Sequence, residues 1–245
     1  MTAVRLEEVL KKDPETISTD FSHIQHMYTG HFSDYYYNRF DRSLDIADLH
    51  PANQALIIGG GTGVFALSLA KYVDDVHFTD IPREEPMFST ARTLFDYSTV
   101  DGSGVKYTAA DATNLPYDSD SFDVVFALDV LEHIPDERAA ISELKRVTAS
   151  NGQAIVSSPI EVGPAVGIRE AYRFIDGRRC KTKSLTELGL SIIGKSPLER
   201  NDHHRGYDFR QTIKWLSEEF NGTSTEYCPY PALKWLNPTV IIKSK

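Results

Sequence analysis

The chain has 245 residues, a formal net charge of −9, 41% hydrophobic and 25% charged residues. That length and balance suit a single α/β domain with a sizeable core, and the acidic excess argues against broad nucleic-acid binding, which needs a basic footprint to neutralise phosphates. Two cysteines, Cys180 and Cys228, are too few for a disulfide framework or a cysteine-rich zinc site, and no stretch is apolar enough for a signal peptide or a membrane helix, so a cytoplasmic protein with no integral membrane segment is expected.

Residues 1–50 are polar and rich in aromatics, with Phe32, Tyr35, Tyr36, Tyr37 and Phe40 clustered, and read as a helical cap ahead of the main sheet. Apolar runs then alternate with helical patterns. Ala55–Ile58 reads as a buried strand ending in glycines, Val64–Tyr72 as a helix, and Asp75–Thr79 as a second strand closed by Asp80. A helix is expected over Pro86–Tyr97, a strand over Val105–Ala109, a clear strand over Phe122–Leu128, and a helix within Ile134–Ser150. Gln153–Ser158 reads as a fifth strand after an Asn151-Gly152 turn. Residues 163–205 break this rhythm and are expected to form an inserted lid. Gln211–Phe220 resumes a helix, and Thr225–Cys228 and Thr239–Lys243 read as two strands with no crossover helix between them. The expected fold is therefore a doubly wound, seven-stranded, mostly parallel sheet with a C-terminal antiparallel hairpin, all within one domain.

The sequence Ala-Leu-Ile-Ile-Gly-Gly-Gly-Thr-Gly over 55–63 joins the first strand to its helix. Its glycines allow a sharp turn and close approach of backbone to a ligand, and the helix start offers N–H groups to a phosphate or a carboxylate. A dinucleotide fingerprint wants a glycine or alanine at the position of Val64, so the spacing met is G-x-G-x-G rather than G-x-G-x-x-G. Asp80, at the end of the next strand, is placed to accept ribose hydroxyls, whether of a dinucleotide or of another adenosine.

Three segments together resemble the class I, Rossmann-like S-adenosylmethionine-dependent methyltransferases of the methyltransferase-domain (type 11-like) family. They are LIIGGGTG (56–63), DATNLPY (111–117) followed by SDSFDVVFALDVLEHIPD, and ELKRVTASNGQAIVSSP (143–159). The resemblance covers about residues 50–160. It implies S-adenosylmethionine as cofactor and S-adenosylhomocysteine as product. Gly59, Gly61 and Gly63 would contact the methionine and ribose parts, Asp80 the ribose hydroxyls, and Asp111 and Ala112 the adenine. Asp129 would line the site beside the sulfonium, and Gly60, Ile81 and Leu131 are counted among the cofactor contacts. The family usually has an acid two positions before the first glycine, where this chain has Ile57.

Methyl transfer requires an in-line nucleophile and exclusion of water, and a base only where the acceptor must lose a proton. His133, after the fourth strand, and His204, in NDHHRGYDFR, are the candidate bases, each with a plain structural role as its alternative. Tyr37, Glu161, Tyr207 and Arg210 are candidates for the acceptor side. His23, His26 and His31 lack the cysteines or carboxylates of a zinc site, so no metal is expected.

Residues 163–200 carry eight Lys or Arg against four acids. Ile168, Ala171, Tyr172 and Ile175 fall on one helical face, with Arg169 and Arg173 on the other. This segment reads either as a lid that attracts an anionic glycan or lipid acceptor, or as a solvated amphipathic helix plugging the sheet edge. The expected function is methylation of a small-molecule or carrier-linked acceptor, with oxygen the favoured atom. The alternatives are a degenerate cofactor-binding module, suggested by Ile57, and a nicotinamide-dependent oxidoreductase. Homodimerisation through the termini or the lid is compatible with the class.

Overall fold

The computed structural model describes residues 1–10, 33–81, 85–175, 182, 184–195 and 207–245. His23, His26, His31, His203 and His204, and the basic residues Arg178, Arg179, Lys181, Lys183 and Arg200, lie outside that set.

Helices α1 (Leu6–Leu10) and α2 (Ser33–Ile46) precede β1 (Gln54–Ile58), α3 (Val64–Leu69), β2 (Asp75–Asp80), α4 (Glu85–Tyr97) and β3 (Val105–Ala109). There follow β4 (Phe122–Leu128), a 3-10 turn (Leu131–His133), α5 (Glu137–Val147), β5 (Thr148–Pro159), α6 (Pro164–Ile175) and α7 (Leu185–Ile192). The chain continues as α8 (Phe209–Glu219), β6 (Thr223–Cys228), a second 3-10 turn (Lys234–Leu236) and β7 (Thr239–Ser244). The seven strands are ordered β3-β2-β1-β4-β5-β7-β6. β1 to β5 run parallel, and β7 is antiparallel to both β5 and β6.

The central strands are covered on both faces, which is why they read as nearly unbroken apolar runs. Alternate residues of β1 divide between two cores. Ile57 joins Phe78, Phe126 and Phe65 beneath α2, α3 and α4. Leu56 and Ile58 join Val125, Leu144 and Leu216 beneath α5 and α8. α5 presents Ala140, Ile141, Leu144 and Val147 to the sheet. It starts at Asp136, whose side chain accepts the Ala139 N–H, and ends with Lys145 and Arg146 opposite the negative end of the helix dipole.

The N-terminal elements are tied down by side-chain acceptors. The Val4 N–H donates to Ser68 Oγ at 2.9 Å, the Ala3 N–H to Asp41 at 2.6 Å, and the Leu6 N–H to the Tyr37 hydroxyl.

The structure departs from the sequence reading in several places, with α3 ending at Leu69 rather than Tyr72 and β6 starting at Thr223 rather than Thr225. β5 begins at Thr148 rather than after the Asn151-Gly152 turn, because Thr148 already pairs with Phe122 before the register shifts between Phe122 and Val124. Helix α6 is amphipathic, but its apolar face does not plug the sheet edge. Ile168 and Ile175 are exposed, while Arg169 and Arg173 pair with Glu161 and Glu170.

Phe126 is wholly buried in β4, and its ring meets Phe65 edge-on at 4.9 Å. Phe126→Ala is expected to remove about 3–5 kcal/mol of stability, read as a lowered urea midpoint at an unchanged slope.

Candidate active site

In the strand order, β1 lies between β2 and β4, and its carboxyl end faces the crevice that opens where the chain reverses direction across the sheet. Beyond Ile58 the backbone turns through Gly59 and Gly61 at φ of 63° and 54°. A Cβ on Gly59 would lie 2.2 Å from Val130 Cγ2, so only glycine lets the two segments meet. A Cβ on Gly61 would meet nothing within 4 Å, because that residue faces open space. Gly60 donates its N–H to the Thr79 carbonyl at 3.0 Å, and Gly63 stands at the start of α3.

Two adjoining cavities open here, and both are lined by Gly59, Gly61, Asp129 and His133. The larger, about 530 Å³, is also lined by Asp80, Ile81, Ala110, Asp111 and Ala112. The smaller, about 310 Å³, is lined by Tyr36, Arg39, Ile57, Gly60 and Phe65 among others.

Each carboxylate is held by the backbone or a neighbour. Asp80 accepts the Gly61 N–H at 2.7 Å on one oxygen and the Ile81 N–H at 2.8 Å on the other. Asp111 accepts the Thr113 N–H at 2.8 Å and the Thr113 hydroxyl at 2.7 Å, and these bonds hold its pKa below the usual carboxylate range. Asp129 has a left-handed backbone at φ 52° and accepts the Ser157 hydroxyl at 2.6 Å. Its other oxygen pairs with Arg39 Nη1. That guanidinium is nearly buried and sits 5.3 Å from the Tyr36 ring centre and 5.1 Å from that of Phe40.

Of the candidates named from the sequence, Gly59, Gly60, Gly61, Asp80, Ile81, Asp111, Ala112, Asp129 and His133 line the cavities, and Gly63 does not. His133 ends the 3-10 turn, exposed at the rim. Leu131 is buried in the core below that turn. Tyr37 is buried too, its ring 4.2 Å from the Arg5 guanidinium carbon, and the adjacent Tyr36 supplies the cavity wall instead. Tyr207 is buried and bonded to Ser158 Oγ and Thr212 Oγ1, each at 2.8 Å. Glu161 pairs with Arg169, and Arg210 with Asp208 and the Gly194 carbonyl. His204 lies outside the described residues.

The sequence reading missed Arg39. No local signal marks it, because its partner is 90 positions away. It also missed Glu132, which is buried beneath the site. Burial, and then the charge of Asp129, push the Glu132 carboxyl well above its ordinary pKa. Among the described residues no cluster of His, Cys, Asp or Glu suits a metal, and no helix is long and apolar enough to cross a membrane.

With this geometry in place, residues 56–156 match the family model described as "Methyltransferase domain". Residues 56–156 thus form a methyltransferase domain, whose cofactor is S-adenosylmethionine. The chain is 33% identical over 164 residues to a 27-O-demethylrifamycin SV methyltransferase of Amycolatopsis mediterranei, covering 67% of this chain and 56% of that protein. It is 31% identical over 121 residues to a chloroplastic 2-methyl-6-phytyl-1,4-hydroquinone methyltransferase of Oryza sativa subsp. japonica, covering 49% of this chain and 35% of that one. The chain thus spans about a third to a little over half of these relatives' lengths. A solved SAM-dependent methyltransferase from Aquifex aeolicus shares the fold, with a TM-score of 0.55 at 12% identity over 84% of this chain and 88% of that one.

The residues present fit the cofactor of this class. Open space lies where a Gly61 Cβ would project, and the Asp80 carboxylate is fixed at the cavity wall by two backbone N–H groups.

The neutral form of Glu132 is favoured in the fold, so the native state holds a proton that the unfolded chain gives up near the ordinary glutamate pKa. Stability is therefore present at or below that pKa and declines as pH rises toward the elevated folded value. Glu132→Gln is expected to raise the urea midpoint more at pH ~8 than at pH ~4.5. An equal change at both values would rule out burial of a raised carboxyl.

Proposed function

We propose that the domain transfers a methyl group from S-adenosylmethionine to an oxygen of a small-molecule or carrier-linked acceptor. The observation that carries this reading is the pair of cavities at the carboxyl end of β1, joined at Gly59, Gly61, Asp129 and His133. Asp80 would hold the ribose hydroxyls and Asp111 the adenine amino group, each carboxylate already aimed by hydrogen bonds to neighbouring groups. Asp129 and Arg39 would face the charged methionine end, offering an anion for its ammonium and a cation for its carboxylate. When bound, S-adenosylmethionine supplies a methyl group made electrophilic by the sulfonium.

What remains for the chain is to orient the acceptor, exclude water and, for a hydroxyl, remove a proton. His133 borders both cavities and is the group in reach to take that proton. Oxygen is favoured because a relative of 33% identity is named for an O-demethylated compound.

The degenerate-module alternative rested on Ile57. In the smaller cavity that side chain stands beside the Arg39–Asp129 pair, so the wall keeps charged groups without an acid at that position. The nicotinamide alternative gives way to the family match.

Calorimetry with S-adenosylmethionine, and with NADH as control, tests this reading. Micromolar binding of the sulfur cofactor alone is expected. Asp80→Ala and Asp111→Ala should each weaken it about a hundredfold or more, close to 3 kcal/mol, with unfolding midpoints little changed. Unchanged affinity in both variants would remove these roles. In a turnover assay His133→Ala should lower kcat while leaving cofactor affinity intact, and an unaltered kcat would mean positioning alone suffices.

A further inference from the structure

Two of the stretches that mark the domain in sequence meet in space. The segment DATNLPY (111–117) follows β3 and belongs to no helix or strand, so its backbone polar groups need partners of another kind. Its first turn supplies some of them. Asp111 accepts the Thr113 N–H and hydroxyl, and the Asn114 N–H donates to the Asp111 carbonyl at 3.0 Å. Pro116 has no N–H to offer, so the second half lacks a donor for closing on itself.

That half is held by two side chains of α5. Glu143 and Arg146 stand three residues apart, hence on one face of the helix. Glu143 Oε2 accepts the Leu115 N–H at 2.8 Å. Arg146 donates from Nη2 to the Leu115 carbonyl at 3.0 Å and from Nη1 to the Tyr117 carbonyl at 2.6 Å, one on each side of the proline. The same guanidinium forks onto both Glu143 oxygens, at 2.6 and 2.8 Å. α5 itself is seated on the sheet by Ala140, Ile141, Leu144 and Val147, so the clamp is anchored to the core. Leu115 is buried, and the Tyr117 ring meets Phe122 edge-on at 4.9 Å.

A partly exposed ion pair on a helix adds little stability as a rule, and Arg146 is a third exposed. Its geometry serves another purpose. Neither Glu143 nor Arg146 lines the two cavities, but the residues they grip lie a few positions after Asp111 and Ala112, which line the larger one. We propose that Glu143 and Arg146 are positioning residues for the nucleobase: by clamping the backbone of Leu115 and Tyr117 they hold the Asp111 carboxylate where it accepts from a nucleobase amino group. This rests on the reading of Asp111 as the adenine acceptor. It adds that the preference for an amino group over a carbonyl at that place on the base is set from a helix outside the cavity. A carbonyl there would set two acceptors face to face, and only a carboxylate that cannot swing aside makes the mismatch costly.

The test is calorimetry of the full chain with S-adenosylhomocysteine and with S-inosylhomocysteine, in which a carbonyl replaces the adenine amino group. The unsubstituted chain is expected to prefer the adenosyl compound about tenfold or more. Arg146→Ala should weaken the adenosyl compound about tenfold and leave the inosyl compound nearly unchanged, so the preference collapses. Arg146→Lys, a point charge in place of a fork, should recover part of it. Added to Asp111→Ala, Arg146→Ala should cost nothing more, because the group being aimed is gone. Thermal unfolding reports the fold of each variant. Glu143→Gln keeps an acceptor for the Leu115 N–H but loses the charge that orients Arg146, and its preference should fall by a smaller factor, which keeps the test open if Arg146→Ala fails to fold. An equal loss for both compounds, or an additive loss in the double variant, would reduce the pair to structural support and overturn the proposal. So would an unchanged preference in both Arg146→Ala and Glu143→Gln. If the unsubstituted chain binds both compounds equally, the adenine role of Asp111 fails, and if it binds neither, the cofactor reading fails. Either result takes this proposal with it and is seen before any substitution in α5 is made.

Discussion

The close approach of Gly59 to Val130 sets the distance between the end of β1 and the segment that follows β4, and the site depends on that distance. A methyl-sized group on Gly59 would overlap the Val130 side chain, so β1 and β4 could not end side by side as they do. Because they do, Asp129 leaves β4 at the level of the glycine turn, and its left-handed backbone swings the carboxylate toward Ser157 on β5 and Arg39 on α2. One packing constraint in the sheet thereby places an acid from β4, an acid from β2 and the glycine backbone around one opening. The helices supply the remainder from outside the sheet.

Charge beneath that opening is balanced unevenly. Arg39 faces Asp129, and a guanidinium held between aromatic rings loses water cheaply compared with an ammonium. Below lie Glu132 and Glu137, both buried, with Tyr207 close by. The Glu137 carboxylate accepts from the Thr212 hydroxyl, and the Tyr207 hydroxyl, 2.8 Å from both Thr212 Oγ1 and Ser158 Oγ, has one proton to share between them. Burial pushes the Tyr207 phenol well above its ordinary pKa, and the two neighbouring carboxyls push it further. A network of this kind adds little net stability over an apolar core, but it penalises any misplacement of α8 against β5, because each member would lose its partner in a dry interior.

Much of this was legible in the sequence where a short-range pattern has one physical reading. Phe122–Leu128 is an unbroken apolar run because both faces of that strand are covered, and its limits were readable to the residue. Asp80 and the glycines were legible because a strand, a tight turn and an acid at the next strand end occur in close succession. Arg39 was not, since its meaning comes from a partner contributed by another layer of the fold. Tyr36 and Tyr37 are equivalent as letters, and only the rotation of α2 decides which ring enters the wall and which enters the core. The same limit applies to α6. Periodicity reveals that an apolar face exists, and the spacing of Glu170 and Arg173 reveals a pair one turn apart, but neither shows that Glu170 is buried or that Arg169 reaches back to Glu161.

The strand order has a consequence for how the chain is made. β7 follows every other strand in sequence, yet it lies between β5 and β6, with Val240, Ile241 and Ile242 wholly buried. During vectorial synthesis the β3-β2-β1-β4-β5 half can assemble as it emerges, exposing the free edge of β5 while β6 waits without a neighbour. Lys243 also reaches the Ile46 carbonyl at 2.6 Å, so the seat of α2 is completed only by a residue made nearly two hundred positions later. A nascent chain with the glycine-turn half formed and β7 still to come would present an open sheet edge at β5, the interval in which a chaperone or a neighbouring nascent chain has something to grip.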